Sequence, residues 1–190
     1  MNYLDNYHRW LESDAVDEDT KKELREIQGN PEEIESRFTS MLEFGTAGLR
    51  GVMQAGLNGM NVYTVRHATQ AFANIIRNCG ESIGDGVTIA HDCRNNSRAF
   101  ACEAASVLMA NGIHVNLFED LRPTPELSFA IRETGSIAGI NITASHNTKE
   151  FNGYKAYWAD GAQMPPEHAE KVSQEMARID IFDDIQLIDL

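Results

Sequence analysis

The amino-acid sequence predicts an α/β fold: a three-layer α/β/α sandwich with a mixed, mostly parallel sheet, preceded by an N-terminal helical arm. Two observations predict the sandwich. Short apolar runs rich in β-branched residues alternate with helical stretches of about 10–15 residues, the pattern of a sheet covered on both faces. The link between the last two runs, Thr143 to Gly153, holds no helix, so the final strand is expected to run antiparallel to its predecessor. A third observation predicts the arm. Residues 1–38 are polar and helical with caps and breakers between segments, which leaves 39–190 as the domain that carries the site.

Taken in order, residues 2–12 and 17–29 read as two polar helices; Asp17 or Asp19 can cap the second and Gly29 can end it. Pro31 opens a third, short helix with Ile34 and Phe38 on one side. FGTAGLRG, Phe44–Gly51, reads as a glycine-rich loop. From Val62 to Ile76, Val65, Ala68, Phe72, Ile75 and Ile76 fall at helical spacing. GESIGDG breaks that helix, and VTIAH, Val87–His91, is a buried strand. DCRNNSR follows as a loop, with Ser97 expected to cap a helix over Arg98–Ala110 that stops at Asn111-Gly112. IHVNLFE is the next strand, and LRPTPEL is a loop from which Pro125 opens a helix to Arg132. Ser136–Thr143 is a third strand and GYKAYWA a fourth, with Asp160-Gly161 as its turn. PPEHAEKVSQEMARI is a last amphipathic helix.

Composition narrows the function. The 190 residues are 42% hydrophobic, ordinary for a packed core. Asp and Glu number 29 against 16 Lys and Arg, a net charge of −13, which argues against nonspecific binding to nucleic acid or to an anionic membrane. Cys79, Cys93 and Cys102 are odd in number and lack zinc-ligand spacing, so neither a disulfide framework nor a zinc centre is expected. No apolar run is long enough to span a bilayer, and MNYLDNYHRWLESD has no apolar core of a signal peptide, so the expected location is the cytoplasm.

In a sheet of this kind ligands bind beyond the carboxyl ends of the strands, where DCRNNSR, LRPTPEL and TASHNTKE emerge. TASHNTKEFNGYK, Thr143–Lys155, gathers His146, Lys149 and Lys155 around Ser145 and turns through Asn152-Gly153. Ser145 lacks the flanking glycines of a hydrolase elbow, and His146, as an immediate neighbour in an extended loop, is expected to point away from it. A phosphoserine fits better. It would hold roughly −1.5 to −2 charges at neutral pH and would need cations and N–H donors around it. His146, Lys149 and Lys155 offer charge locally; Arg50 and Arg94 offer more from neighbouring loops. The bland alternative on these residues alone is solvated surface charge. Nucleotide-binding glycine loops and H-E-x-x-H are missing, and His91-Asp92 reads as hydrogen-bonded structure rather than a metal site.

Several stretches together resemble one family, the α-D-phosphohexomutases. TASHN with the following NGYK is similar to the family's phosphoserine loop and lysine-bearing strand. FGTAGLRG resembles its arginine loop, AHDCRNNS its Y-D-x-R-x-x-S stretch with His91 in place of tyrosine, and LRPTPELSFA its P-T-P segment. Order and spacing agree over about residues 40–170, and the helical arm with FGTAGLRG looks most like the phosphoglucomutase and phosphopentomutase branch.

The resemblance implies a first domain of a mutase that moves phosphate between C1 and C6 of a hexose, glucose foremost, through a phosphoserine and a bisphosphorylated sugar. Ser145 would carry the phosphoryl group and, through it, Mg²⁺. His146 would support the phosphate or sugar oxygen, Lys155 would serve as general acid–base or phosphate clamp, and Arg50 would stabilise the reacting phosphoryl. Asn147 would orient the loop; Lys149 and Arg94 are further phosphate-binding candidates, Arg94 with a structural alternative. The implied partners are a sugar phosphate, with the sugar bisphosphate as activator, and the remaining mutase domains in cis.

Two departures stand out. Thr148 occupies the position where the family usually has proline, which would leave the loop less rigid. The D-G-D-x-D-R magnesium loop of the family's second domain does not occur in these residues, so the isolated chain is expected not to turn over sugar phosphate. The competing reading is a non-catalytic phosphosugar-binding or regulatory module.

Overall fold

In a computed structural model of the chain, residues 2–45, 48–80 and 85–189 are described. Helices α1 (Tyr3–Glu12), α2 (Glu18–Glu26) and α3 (Pro31–Phe38) come first. Then follow β1 (Leu49–Val52), α4 (Val62–Asn78), β2 (Val87–His91), α5 (Ser97–Ala110), β3 (Val115–Leu117), α6 (Thr124–Thr134), β4 (Ala138–Ile142), β5 (Phe151–Trp158) and α7 (Pro166–Met176).

The sheet order is β1-β5-β4-β2-β3. β2 pairs parallel with β3 and β4, and β5 pairs antiparallel with β4 and β1. Four strands therefore share one direction and β5 alone opposes them, as the helix-free link into it requires. Alternation along β2 builds the layers. Val87 and Ile89 join Phe72, Leu108 and Val172 of α4, α5 and α7 in the main core. Ala90, on the opposite face, meets Leu127 and Ile131 of α6 and Tyr157 of β5.

Caps start the helices where their sequence allows. Asn2, Asp17, Asn30 and Asn61 accept from the backbone three residues on, opening α1, α2, α3 and α4. α2 ends at Glu26, three residues before Gly29. The start of α5 corrects the expected cap. Asn96 stands at the N-cap with φ 62° and makes no capping bond, while Ser97 is already helical and donates to Asp92 Oδ1 at 2.7 Å.

FGTAGLRG is not all loop, because Leu49–Val52 forms edge strand β1, held by the burial of Leu49 and by pairing with Phe151–Tyr154. Thr46 and Ala47 of that stretch, and Glu81–Gly84 of the predicted break GESIGDG, lie outside the described residues. Asn152-Gly153 is a second correction: the pair sits inside β5, and the chain reverses earlier, over Ala144–Glu150. A Cβ on Gly153 would lie 2.8 Å from the Thr143 carbonyl oxygen and 2.9 Å from that of Leu49, so glycine is there for close strand approach and not for turning.

The helical arm has a core of its own. Tyr7, Trp10, Leu24 and Phe38 pack with Leu57, Tyr63 and Ile181. Trp10 meets Phe38, Tyr63 and Phe182 edge-on with ring centroids 5.8, 5.1 and 5.4 Å away. No helix among the described residues is long and apolar enough to cross a membrane.

Candidate active site

The parallel strands β2 and β4 end side by side at His91 and Ile142, and the loops that leave them meet at that edge. The third loop joins them there, since the Arg122 amide donates to the His91 carbonyl at 3.0 Å. Topology has thus brought DCRNNSR, LRPTPEL and TASHNTKE to one place.

Ser145 is exposed and takes φ 57°, a left-handed conformation that costs a non-glycine residue roughly 1–2 kcal/mol. Two local bonds impose it: the Ser145 amide donates to Thr143 Oγ1 at 3.0 Å, and the Asn147 amide to the Ala144 carbonyl at 3.1 Å. This turn also corrects the expectation that His146 points away. Its Nδ1 lies 3.5 Å from Ser145 Oγ, because the left-handed residue swings neighbouring side chains to one side. Among the described residues the backbone amides of His146 and Thr148 make no hydrogen bond within the protein.

A cleft of about 440 Å³ opens here, between Asp92–Asn95 on one side and Ser145, Asn147 and Lys149 on the other. Arg50, projecting from β1, reaches the loop through Asn147 Oδ1 at 3.3 Å. Lys155 stands on β5 opposite Asn141 of β4. Arg50 and Lys155 form no salt bridge among the described residues, and Lys149 has only its neighbour Glu150, whose charge it attracts. In a chain of net charge −13, Lys149 at the cleft and Arg50 on the adjoining loop suit an anionic ligand.

Arg94 is placed differently. Its Nη1 donates to the carbonyls of Thr148 and Phe151 at 2.8 and 3.1 Å, and its Nη2 to those of Ser145 and Asn147 at 2.9 and 2.7 Å. Asp92 is committed as well. Oδ1 accepts from the Arg94 amide and from Ser97, and Oδ2 faces Arg94 Nε at 3.3 Å. His91 is buried with Nδ1 3.0 Å from the Asp92 carbonyl, which makes His91-Asp92 a structural pair. No group of three or more His, Cys, Asp or Glu side chains among the described residues could hold a metal ion.

Sequence reasoning missed two residues. Asn152 is fully buried and donates to the Asn95 carbonyl and to Ser97 Oγ, both at 3.0 Å, joining β5 to the loop before α5. Asn141, opposite Lys155, donates to Thr124 Oγ1 of the P-T-P segment at 2.8 Å. Asn152 is masked by the Asn-Gly turn signal; Asn141 is flagged only as a polar residue inside an apolar strand.

Residues 41–181 match the family described as phosphoglucomutase/phosphomannomutase, alpha/beta/alpha domain I. Human phosphopentomutase is 39% identical over 173 residues, covering 87% of this chain and 28% of the relative. The phosphoglucomutase of Staphylococcus saprophyticus is 39% identical over 172 residues, covering 90% of this chain and 30% of the relative. The chain thus spans less than a third of the length of these curated relatives. A crystal structure of a phosphoglucomutase/phosphomannomutase family protein from Burkholderia thailandensis superposes with a TM-score of 0.61 at 25% identity, over 73% of this chain and 30% of the other.

Proposed function

Since the chain belongs to the phosphoglucomutase/phosphomannomutase family through its alpha/beta/alpha domain I, we propose that it is the phosphoserine-bearing part of a sugar-phosphate mutase. Its reaction interconverts hexose 1-phosphate and hexose 6-phosphate, with glucose as the sugar. The observation that carries this reading is the exposed Ser145 hydroxyl, held in a left-handed turn at a cleft that Lys149 also lines, with His146 Nδ1 3.5 Å from it and Arg50 bonded to Asn147 of the same loop.

Each residue then has a part. Phosphorylated Ser145 gives its phosphoryl group to a sugar hydroxyl, and the bisphosphorylated sugar turns over and returns its other phosphate to Ser145. Lys155, fixed on a strand, takes up and returns the proton of the attacking hydroxyl. His146 supports the phosphoryl oxygens, Arg50 and Lys149 offset the charge that moves between donor and acceptor, and Asn147 links Arg50 to the loop. Magnesium, when bound, neutralises charge on the phosphoserine; this chain offers it one ligand, a phosphoryl oxygen, and the other ligands come from further domains in cis. A pentose phosphate is the second substrate reading, favoured by the similarity to human phosphopentomutase.

The test is turnover by the native polypeptide from its source cells, supplied with glucose 1-phosphate, Mg²⁺ and catalytic glucose 1,6-bisphosphate. Formation of glucose 6-phosphate that disappears in Ser145→Ala is the expected result, while the 190-residue chain alone gives none. Binding of sugar phosphate without turnover of any hexose or pentose phosphate would replace the mutase with a binding module.

A further inference from the structure

Arg94 is the third residue of DCRNNSR, and its guanidinium has five N–H donors in a rigid fork. Four donate to the carbonyls of Ser145, Asn147, Thr148 and Phe151, and Nε lies 3.3 Å from Asp92 Oδ2 as an ion pair. Both terminal nitrogens are thereby committed to the backbone of the loop. The four carbonyls come from both sides of the turn, from the hydroxyl-bearing residue itself to the first residue of β5. One planar group therefore fixes the whole reversal.

We infer that Arg94 is a positioning residue, a clamp whose guanidinium sets the shape of the Ser145 loop and so aims the Ser145 hydroxyl into the cleft.

Three further observations support the clamp. Arg94 is itself held: its amide donates to Asp92 Oδ1, Asp92 accepts from Ser97, and Ser97 accepts from buried Asn152. The chain of bonds runs from the start of α5 to β5, so both ends of the loop share one anchor. The loop also contains a strained residue, Ser145 at φ 57°, which relaxes unless neighbouring contacts hold it. Finally, Thr148 leaves the loop without the ring constraint that proline would impose, and its carbonyl is one of the four that Arg94 binds. The guanidinium supplies by hydrogen bonding the rigidity that the chain chemistry lacks. Lysine could not do the same, because an ammonium is a point charge on a flexible stem with three donors.

The aiming role rests on the phosphoserine reading; the ordering of the loop does not, and the experiment separates them. In the 190-residue chain, tryptic cleavage after exposed Lys149 and amide exchange over 144–151 report loop opening, with thermal unfolding followed alongside. Arg94→Ala is expected to raise both loop signals at least about tenfold with the rest of the chain still protected, and millimolar methylguanidinium is expected to restore them. Arg94→Lys keeps the charge and is expected to leave the loop open with thermal unfolding close to that of the wild type. In the native enzyme Arg94→Lys is expected to lower kcat about a hundredfold with KM for sugar phosphate little changed, the signature of misplacement. Loop exchange in both variants equal to wild type overturns the clamp, even if Ser145 of the native protein is phosphorylated. An open loop in the variants, together with unmodified Ser145 in the native protein, overturns the phosphoserine reading and retains Arg94 as the loop's organiser.

Discussion

Ser145 has the backbone of a glycine and the side chain of a nucleophile, and the two demands oppose each other. Only the hydroxyl explains serine at φ 57°, since glycine would take that conformation without a Cβ penalty. Ser145→Gly is accordingly expected to stabilise the chain by about 1 kcal/mol, a rise in Tm of about 2–4 °C by calorimetry, while removing every phosphoryl-carrying function. A fall in Tm would mean that the serine side chain is itself a structural support. Ser145, His146, Lys155 and Arg50 could be named as candidates from the sequence, because charge placed near a hydroxyl along the chain needs no coordinates. The direction of His146 was not, because it depends on the sign of one backbone angle. Arg94 was legible as a cation near the site, but its attachment to four backbone carbonyls was beyond any reading of residue types.

At the scale of elements, alternating β-branched runs and helical spacings located β2, β3, β4, β5 and the seven helices among the described residues. Strand β1 was hidden, because four residues with two apolar side chains carry little periodic signal and their partners lie a hundred residues away in the chain. Asn152-Gly153 was misplaced because turn chemistry and close strand packing ask for the same residues. The distinction can be tested. Gly153→Ala would set a methyl group against the carbonyls of Thr143 and Leu49, and is expected to cost about 1–3 kcal/mol in urea unfolding. A turn glycine with open space and φ below zero would lose almost nothing. The same substitution pushes β1, and Arg50 with it, away from the loop, so phosphate affinity is expected to fall together with stability.

Across the whole molecule, the arm and the C-terminal turn close on each other. Arg9 of α1 donates to Asp180 Oδ1 at 2.6 Å and lies over the Phe182 ring at 5.2 Å. The hydrogen bond from Arg9 holds the Asp180 carboxyl down at about 2. With the folded value below the unfolded one of about 3.9, this contribution to stability is complete above that unfolded value and is lost as pH falls through about 2. Thermal unfolding between pH 5 and 2 is expected to show a loss that is smaller in Asp180→Asn; equal slopes would place the acid-sensitive groups elsewhere. The sandwich sets the three loops at one edge of the sheet. The proposed role of that edge is to hold the Ser145 hydroxyl as the carrier of a phosphoryl group. The most direct test of that claim is a top-down mass spectrum of the native polypeptide from its source cells, with the Thr143–Lys155 stretch sequenced. A single phosphoryl group on Ser145 is the predicted result; an unmodified Ser145, or a phosphoryl group carried on another residue, would contradict it.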